Sequence, residues 1–125
     1  MIYQAKVLRI DEIVEEEVTL QIGNTELTCF ASMCPCTIGE ESSYPLELIL
    51  YDGYVVEEVS DDTEPSIVRL GNTFAHVITG RLNGRCLESE GLTFEDDALL
   101  SDFGYLDGKM VAMKVGRIDA YFNPE

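Results

Sequence analysis

The stretch Val111-Ala112-Met113-Lys114-Val115-Gly116-Arg117-Ile118-Asp119-Ala120-Tyr121-Phe122 decides the fold class. Val111, Met113 and Val115 fall on one face of an extended chain, because successive side chains of a strand point to opposite sides. Ile118, Ala120 and Phe122 form a second apolar face, three residues out of step with the first. Gly116 lies at the phase change, where a β-bulge restores register and bends the strand. Bent, bulged strands are how a small barrel turns its corners.

Turn signals on the N-terminal side repeat the pattern. Asp107-Gly108 leads into this last strand, and Asn83-Gly84 sits between Arg81-Leu82 and Arg85-Cys86-Leu87 as a hairpin signal. Gly23-Asn24 separates a strand carrying Val18, Leu20 and Ile22 from one carrying Leu27, Cys29 and Ala31. Ile2 to Ile10 reads as the opening strand, and Met33 to Tyr44 as a loop broken by Pro35 and Gly39. Leu46, Leu48 and Leu50 begin a fourth strand. Asp52-Gly53 then makes either a turn or a bulge before Tyr54–Val59. Ser60 to Pro65 is an acidic turn, and Ile67 to Leu82 is a strand region interrupted at Gly71-Asn72. Thr93, with Asp96 three residues on, resembles a capping box for one short helix near 95–103, with Gly104 as its end.

These elements predict a mostly β chain, a single acidic domain over residues 1–125. The expected architecture is a small antiparallel β-barrel, nearest to the oligonucleotide/oligosaccharide-binding (OB) type, with a two-sheet β-sandwich as the alternative. A chain of 125 residues buries enough surface to fold without a metal or disulfide.

Charge is the sharpest compositional fact. The net charge is −16, and no Lys or Arg occurs between Ile10 and Val68, a stretch that holds fifteen acids. Charge therefore disfavours nucleic acid as a partner, since its phosphates would be repelled. No apolar run approaches the length of a membrane span, and the first residues carry no basic segment leading into an apolar one. The expected location is the cytoplasm, where Cys29, Cys34, Cys36 and Cys86 remain thiols; a bridge across Cys34-Pro35-Cys36 would be strained.

Chemistry is harder to place. The four cysteines and His76 are the obvious metal ligands, yet there is one CxC and no second pair, so no metal or cofactor is expected. Cys29 is in phase with Leu27 and Ala31 as a buried hydrophobe, and His76 with Phe74 and Ile78 as a half-buried strand residue. Acidic surroundings raise a thiol's pKa, no Gly-x-Ser-x-Gly elbow exists, and neither acidic turn has the spacing of a calcium loop. The expectation is not an enzyme but a binding module for a basic protein, of the inhibitor or immunity type. Its contact residues are expected among Glu15, Glu16, Glu17, Glu57, Glu58, Asp61 and Asp62, with Tyr51 and Tyr54 as aromatic anchors. The alternative is an OB-like barrel that binds a ligand or oligonucleotide through the basic second half, where Arg81 and Arg85 bracket a hairpin tip.

Overall fold

A computed structural model describes residues 2–32 and 38–122, with the backbone alone for Asp52. Cys34 and Cys36 lie outside the described residues. Among the described residues, nine strands form in order: β1 (Ile2–Ile10), β2 (Glu17–Ile22), β3 (Thr25–Ser32), β4 (Ser43–Glu58), β5 (Ser66–Arg69), β6 (His76–Asn83), β7 (Cys86–Ser89), β8 (Leu92–Glu95) and β9 (Met110–Phe122). One helix, α1 (Asp97–Phe103), and a 3-10 turn over Gly104–Leu106 lie between β8 and β9. The chain is mostly β, as its alternation predicts.

The pairings are antiparallel except where β3 meets β9. β1 and β2, then β2 and β3, are joined by short connections, and β1 also pairs with β4. β4 pairs with β9 along most of its length, and β9 returns to β3 through Phe30, Ala31 and Ser32. The strands β1-β2-β3-β9-β4 therefore close a ring. The other half of β9 pairs with β6, which carries β5 on one part of its length and β7 on another, with β8 beyond β7.

The bulge expected at Gly116 is not in β9 but in the strand paired with it. Tyr51 is opposite Arg117 and Tyr54 is opposite Val115, so Asp52 and Gly53 together face Gly116. The extra residue is therefore on β4. Gly53 has φ +71°, a left-handed conformation that costs glycine little and other residues more. Asp52-Gly53 is thus a bulge inside one long strand. Across it, Leu46, Leu48, Leu50 and Val56 of β4 stay buried, as do both apolar faces of β9.

Other expectations are corrected by the register. β4 begins at Ser43, and Pro45 lies within it opposite Gln4. Residues 66–83 form a hairpin, β5 and β6, with Gly71 at positive φ in its turn. Thr93 belongs to β8, where its N–H and C=O both bond the Tyr3 hydroxyl. The helix is capped instead by Asp96, whose carboxylate accepts from Ala98 N–H at 3.1 Å. Gly104 ends the helix as expected, but not in the left-handed region: at φ −59° it carries the chain into the 3-10 turn.

The core is one contiguous apolar cluster that runs through both parts of the sheet, with Phe94 and Leu99 sealed into it beside Ile78, Leu82, Met113 and Ile118. Gly80 marks its tightest backbone approach. A Cβ there would collide with the Glu88 carbonyl oxygen and lie 2.9 Å from Ser89 Cβ. Gly80→Ala is therefore expected to destabilise by about 2–3 kcal/mol, the cost of forcing extra volume against backbone. Gly104→Ala, at a right-handed position, is expected to be neutral or stabilising by up to about 1 kcal/mol. Urea unfolding of the two variants measures both, and equal effects would refute this packing account.

Candidate functional site

The outer face of the β3–β9–β4 part of the ring is organised around Arg117. Its Nε and Nη2 donate to the Asp119 carboxylate at 2.6 and 3.1 Å, a two-pronged pair that one-residue spacing on a strand permits by placing both side chains on the same face. The guanidinium carbon lies 4.0 Å from the ring centroids of both Phe30 and Tyr51. Strand pairing dictates this stack: Phe30 of β3 is opposite Asp119, and Tyr51 of β4 is opposite Arg117. Asp119 is only 6% exposed, so its charge is left with little water and relies on Arg117.

The β5–β6 hairpin reaches over the same face. Phe74, in its turn, meets Phe30 edge-on at 5.6 Å between centroids. Arg69 Nη2 lies 3.3 Å from Glu17, which also pairs with Arg9 at 3.7 Å. Glu17, expected as a free surface acid, is thus drawn into a network between β1, β2 and β5.

The remaining predicted residues separate into four situations. Tyr51 is 52% exposed, its ring stacked on Arg117. Tyr54 turns inward instead: its ring lies 6.0 Å from that of Phe103, and its hydroxyl is buried without a hydrogen-bond partner. Burial, with the negative Asp96 and Asp102 nearby, pushes the Tyr54 phenol well above its ordinary range. Asp61 pairs with Arg81, which holds its carboxyl below the ordinary value. Glu15, Glu16, Glu57, Glu58 and Asp62 are exposed, and none pairs with a described Lys or Arg. Glu57 and Glu58 end β4 and Asp62 is in the turn that follows, so these three are near one another in the chain; Glu15 and Glu16 belong to the separate β1–β2 connection.

The basic second half is largely engaged in ion pairs. Arg85 bonds Glu95 and Asp97, each at 3.0 Å, across the β7–β8 hairpin and the start of α1. With Arg81 on Asp61 and Arg117 on Asp119, the arginines of this half neutralise the chain's own acids. Sequence reasoning missed Arg117, Phe30 and Asp119 as a unit, since only the parallel β3–β9 seam brings residues 30 and 119 together.

Clefts of about 350 and 320 Å³ open on the surface of the described residues. Arg9, Asp11 and Glu40 contribute to the first, and the Glu88–Thr93 turn lines the second. Asp11 accepts the backbone N–H groups of Ile13 and Val14, which lowers its pKa and ties the carboxylate into its own loop. Ser89, in the second cleft, donates to the Thr79 carbonyl. Neither arrangement sets a nucleophile beside a base. Among the described residues, no three His, Cys, Asp or Glu side chains converge as a metal site. Burial pushes the Cys29 thiol far up, as for an inert core side chain.

His76 is buried outright, at 1% exposure, where half-burial was expected. Its Nδ1 lies 2.9 Å from the Phe74 carbonyl oxygen, which can only accept, so Nδ1 carries the proton and Nε2 presents a lone pair. That Nε2 has no partner. Desolvation lowers the His76 pKa below 6.5, against the smaller raising effect of the Phe74 bond. The unfolded chain then binds a proton near pH 6.5 that the folded one refuses, so stability falls as pH drops through that value. The loss cannot exceed about 1.4 kcal/mol per pH unit, the limit set by one proton, and it begins as pH falls below about 6.5. A His76→Phe variant should show a flatter profile below that pH in denaturant melts; an unchanged profile would show that the ring is protonated when folded.

No helix of the described chain is long and apolar enough to cross a membrane. No curated protein and no solved structure matches the chain. A family model described as "Uncharacterised conserved protein UCP019853" matches residues 1–123, and the chain belongs to that family.

Proposed function

We propose that this protein is a non-catalytic binding module that recognises a basic protein through its acidic first half, in the manner of a cytoplasmic inhibitor or immunity protein. The ring β1-β2-β3-β9-β4 is read as an OB-like barrel that serves as a rigid support. One observation carries the reading. Lys6, Arg9, Arg69, Arg81, Arg85 and Arg117 each pair with an acid of the chain itself, while Glu15, Glu16, Glu57, Glu58 and Asp62 pair with no described basic residue. The field outside the protein is therefore negative, and it favours encounter with a cationic surface.

Tyr51 is the aromatic anchor this reading favours over Tyr54. Its ring is half exposed and already held in place by Arg117, so ordering it on binding costs little side-chain entropy. The oligonucleotide-binding alternative draws on the ring of strands, but the same ion pairs count against it. Phosphates would have to displace Asp61 from Arg81, and Glu95 and Asp97 from Arg85.

The test is capture from nuclease-treated lysate at low salt, followed by kinetics with the recovered protein. The expected result is one stoichiometric basic partner. Its association should slow by roughly tenfold or more when Glu57, Glu58 and Asp62 are each changed to Lys. A partner whose binding and salt dependence survive these changes would overturn the acidic surface as the recognition element. Tight binding of short single-stranded oligonucleotides at about 50 mM salt would favour the alternative instead.

A further inference from the structure

β4 has different neighbours on its two sides. β9 pairs with one side from Leu46 to Glu58, apart from the bulge. On the other side β1 reaches only to Glu47, opposite Ile2. From Leu48 onward, no described strand is hydrogen-bonded to that second side, although β8 lies against part of β4 without pairing with it. The bulge divides this edge, and beyond it Tyr54–Glu58 is a regular five-residue run. A strand edge presents N–H and C=O groups at alternate residues, a template for one more strand.

The side chains of this run indicate what it suits. Tyr54 and Val56 turn toward the core, so an added strand would find that face closed. Val55, at 67% exposure, faces outward, and Glu57 and Glu58 are exposed beyond it. Asp62 and Glu64 stand exposed in the turn that follows. A second copy of this chain would bring the same acids against themselves and carries −16 of its own. A basic extended segment is the complementary occupant.

We propose that the Tyr54–Glu58 edge of β4 receives a basic, extended segment of the partner as an added strand. Its backbone would continue the sheet. Its outward side chains would sit about 4.5–5.5 Å from those of Val55 and Glu57, with basic groups opposite the acids. This rests on the acidic-surface reading above and assigns it a mode of binding.

The test uses the ¹⁵N-labelled full chain and two short blocked peptides of equal charge. One alternates Lys with Val; the other alternates Lys with Pro, which lacks the backbone donors of a ladder. The expected result at about 50 mM salt is binding of the Lys/Val peptide, roughly tenfold or more tighter than the Lys/Pro peptide. Amide shifts and slowed exchange should concentrate on residues 54–58. The double variant Glu57→Gln, Glu58→Gln should weaken that binding by roughly threefold or more. Equal binding of the two peptides, or shifts spread over the acidic surface, would overturn strand addition while leaving the acidic-surface reading intact. Absence of binding by either peptide would overturn both.

Discussion

The β4–β9 ladder is the constraint on which the rest of this structure depends. One half of it, Leu46–Tyr51 against Arg117–Phe122, belongs to the closed ring with β1, β2 and β3. The other half, Tyr54–Glu58 against Val111–Val115, carries the sheet on to β6, β7 and β8. A regular ladder could not serve both. Strand side chains alternate with a period of two and β9 has no extra residue, so its two apolar sets lie on opposite faces. β4 needs one residue more for Leu48, Leu50 and Val56 all to stay opposite them. The two-against-one bulge at Asp52-Gly53 opposite Gly116 absorbs the phase error, and both halves bury their apolar residues in one core.

Closing the ring imposes a second demand. Among the described residues, β3 and β9 meet in parallel over Phe30, Ala31 and Ser32, a short seam with few ladder bonds. Side chains on its outer face reinforce it. The Arg117–Asp119 fork bridges neighbouring residues of β9, and the guanidinium joins β3 to β4 by lying between Phe30 and Tyr51. Phe74 and the Arg69–Glu17 pair add contacts from the β5–β6 hairpin. A nearly buried carboxylate such as Asp119 carries a desolvation cost, and a planar guanidinium that both forks onto it and stacks on aromatics is the group best able to offset it.

These pairings also govern the electrostatics of the surface. A protein with eight basic residues and twenty-four acids cannot neutralise itself. Where its arginines are engaged decides where the negative field emerges. Arg69, Arg81, Arg85 and Arg117 are held where strands and hairpins meet, so acids away from those junctions, such as Glu57 and Glu58, have no described basic side chain paired with them. Glu57 and Glu58 at the end of the unpaired edge of β4 are consistent with the way native sheets use charge to discourage pairing with their own kind.

Much of the strand plan is legible in the residues. Val18-Leu20-Ile22 and Leu27-Cys29 alternate in the sequence and are buried in the fold, because period-two patterning and burial on one face are the same fact. Gly23, Gly84 and Gly108 take positive φ at the turns their dipeptides announce. The β7–β8 hairpin was hidden because its turn, Glu90-Gly91, places Glu90 at φ +55°, which its side chain does not advertise. Thr93 resembled a helix cap for a local reason that the distant Tyr3 hydroxyl overrides.

The candidate surface divides along the same line. The concentration of acids in the first half is sequence information, since charge is a property of residues and not of their placement. Which of those acids remain uncompensated is not: Glu15, Glu16 and Glu17 are adjacent in the chain, and only Glu17 meets arginines from β1 and β5. By itself, the sequence determined the strand class, the sign of the surface and the need for a bulge near Gly116. Tertiary structure alone decided which strand holds the bulge, that Tyr51 faces out while Tyr54 faces in, and that residues 30, 51, 117 and 119 form one cluster. Those outcomes depend on contacts between residues far apart in the chain, which local periodicity and turn chemistry do not encode.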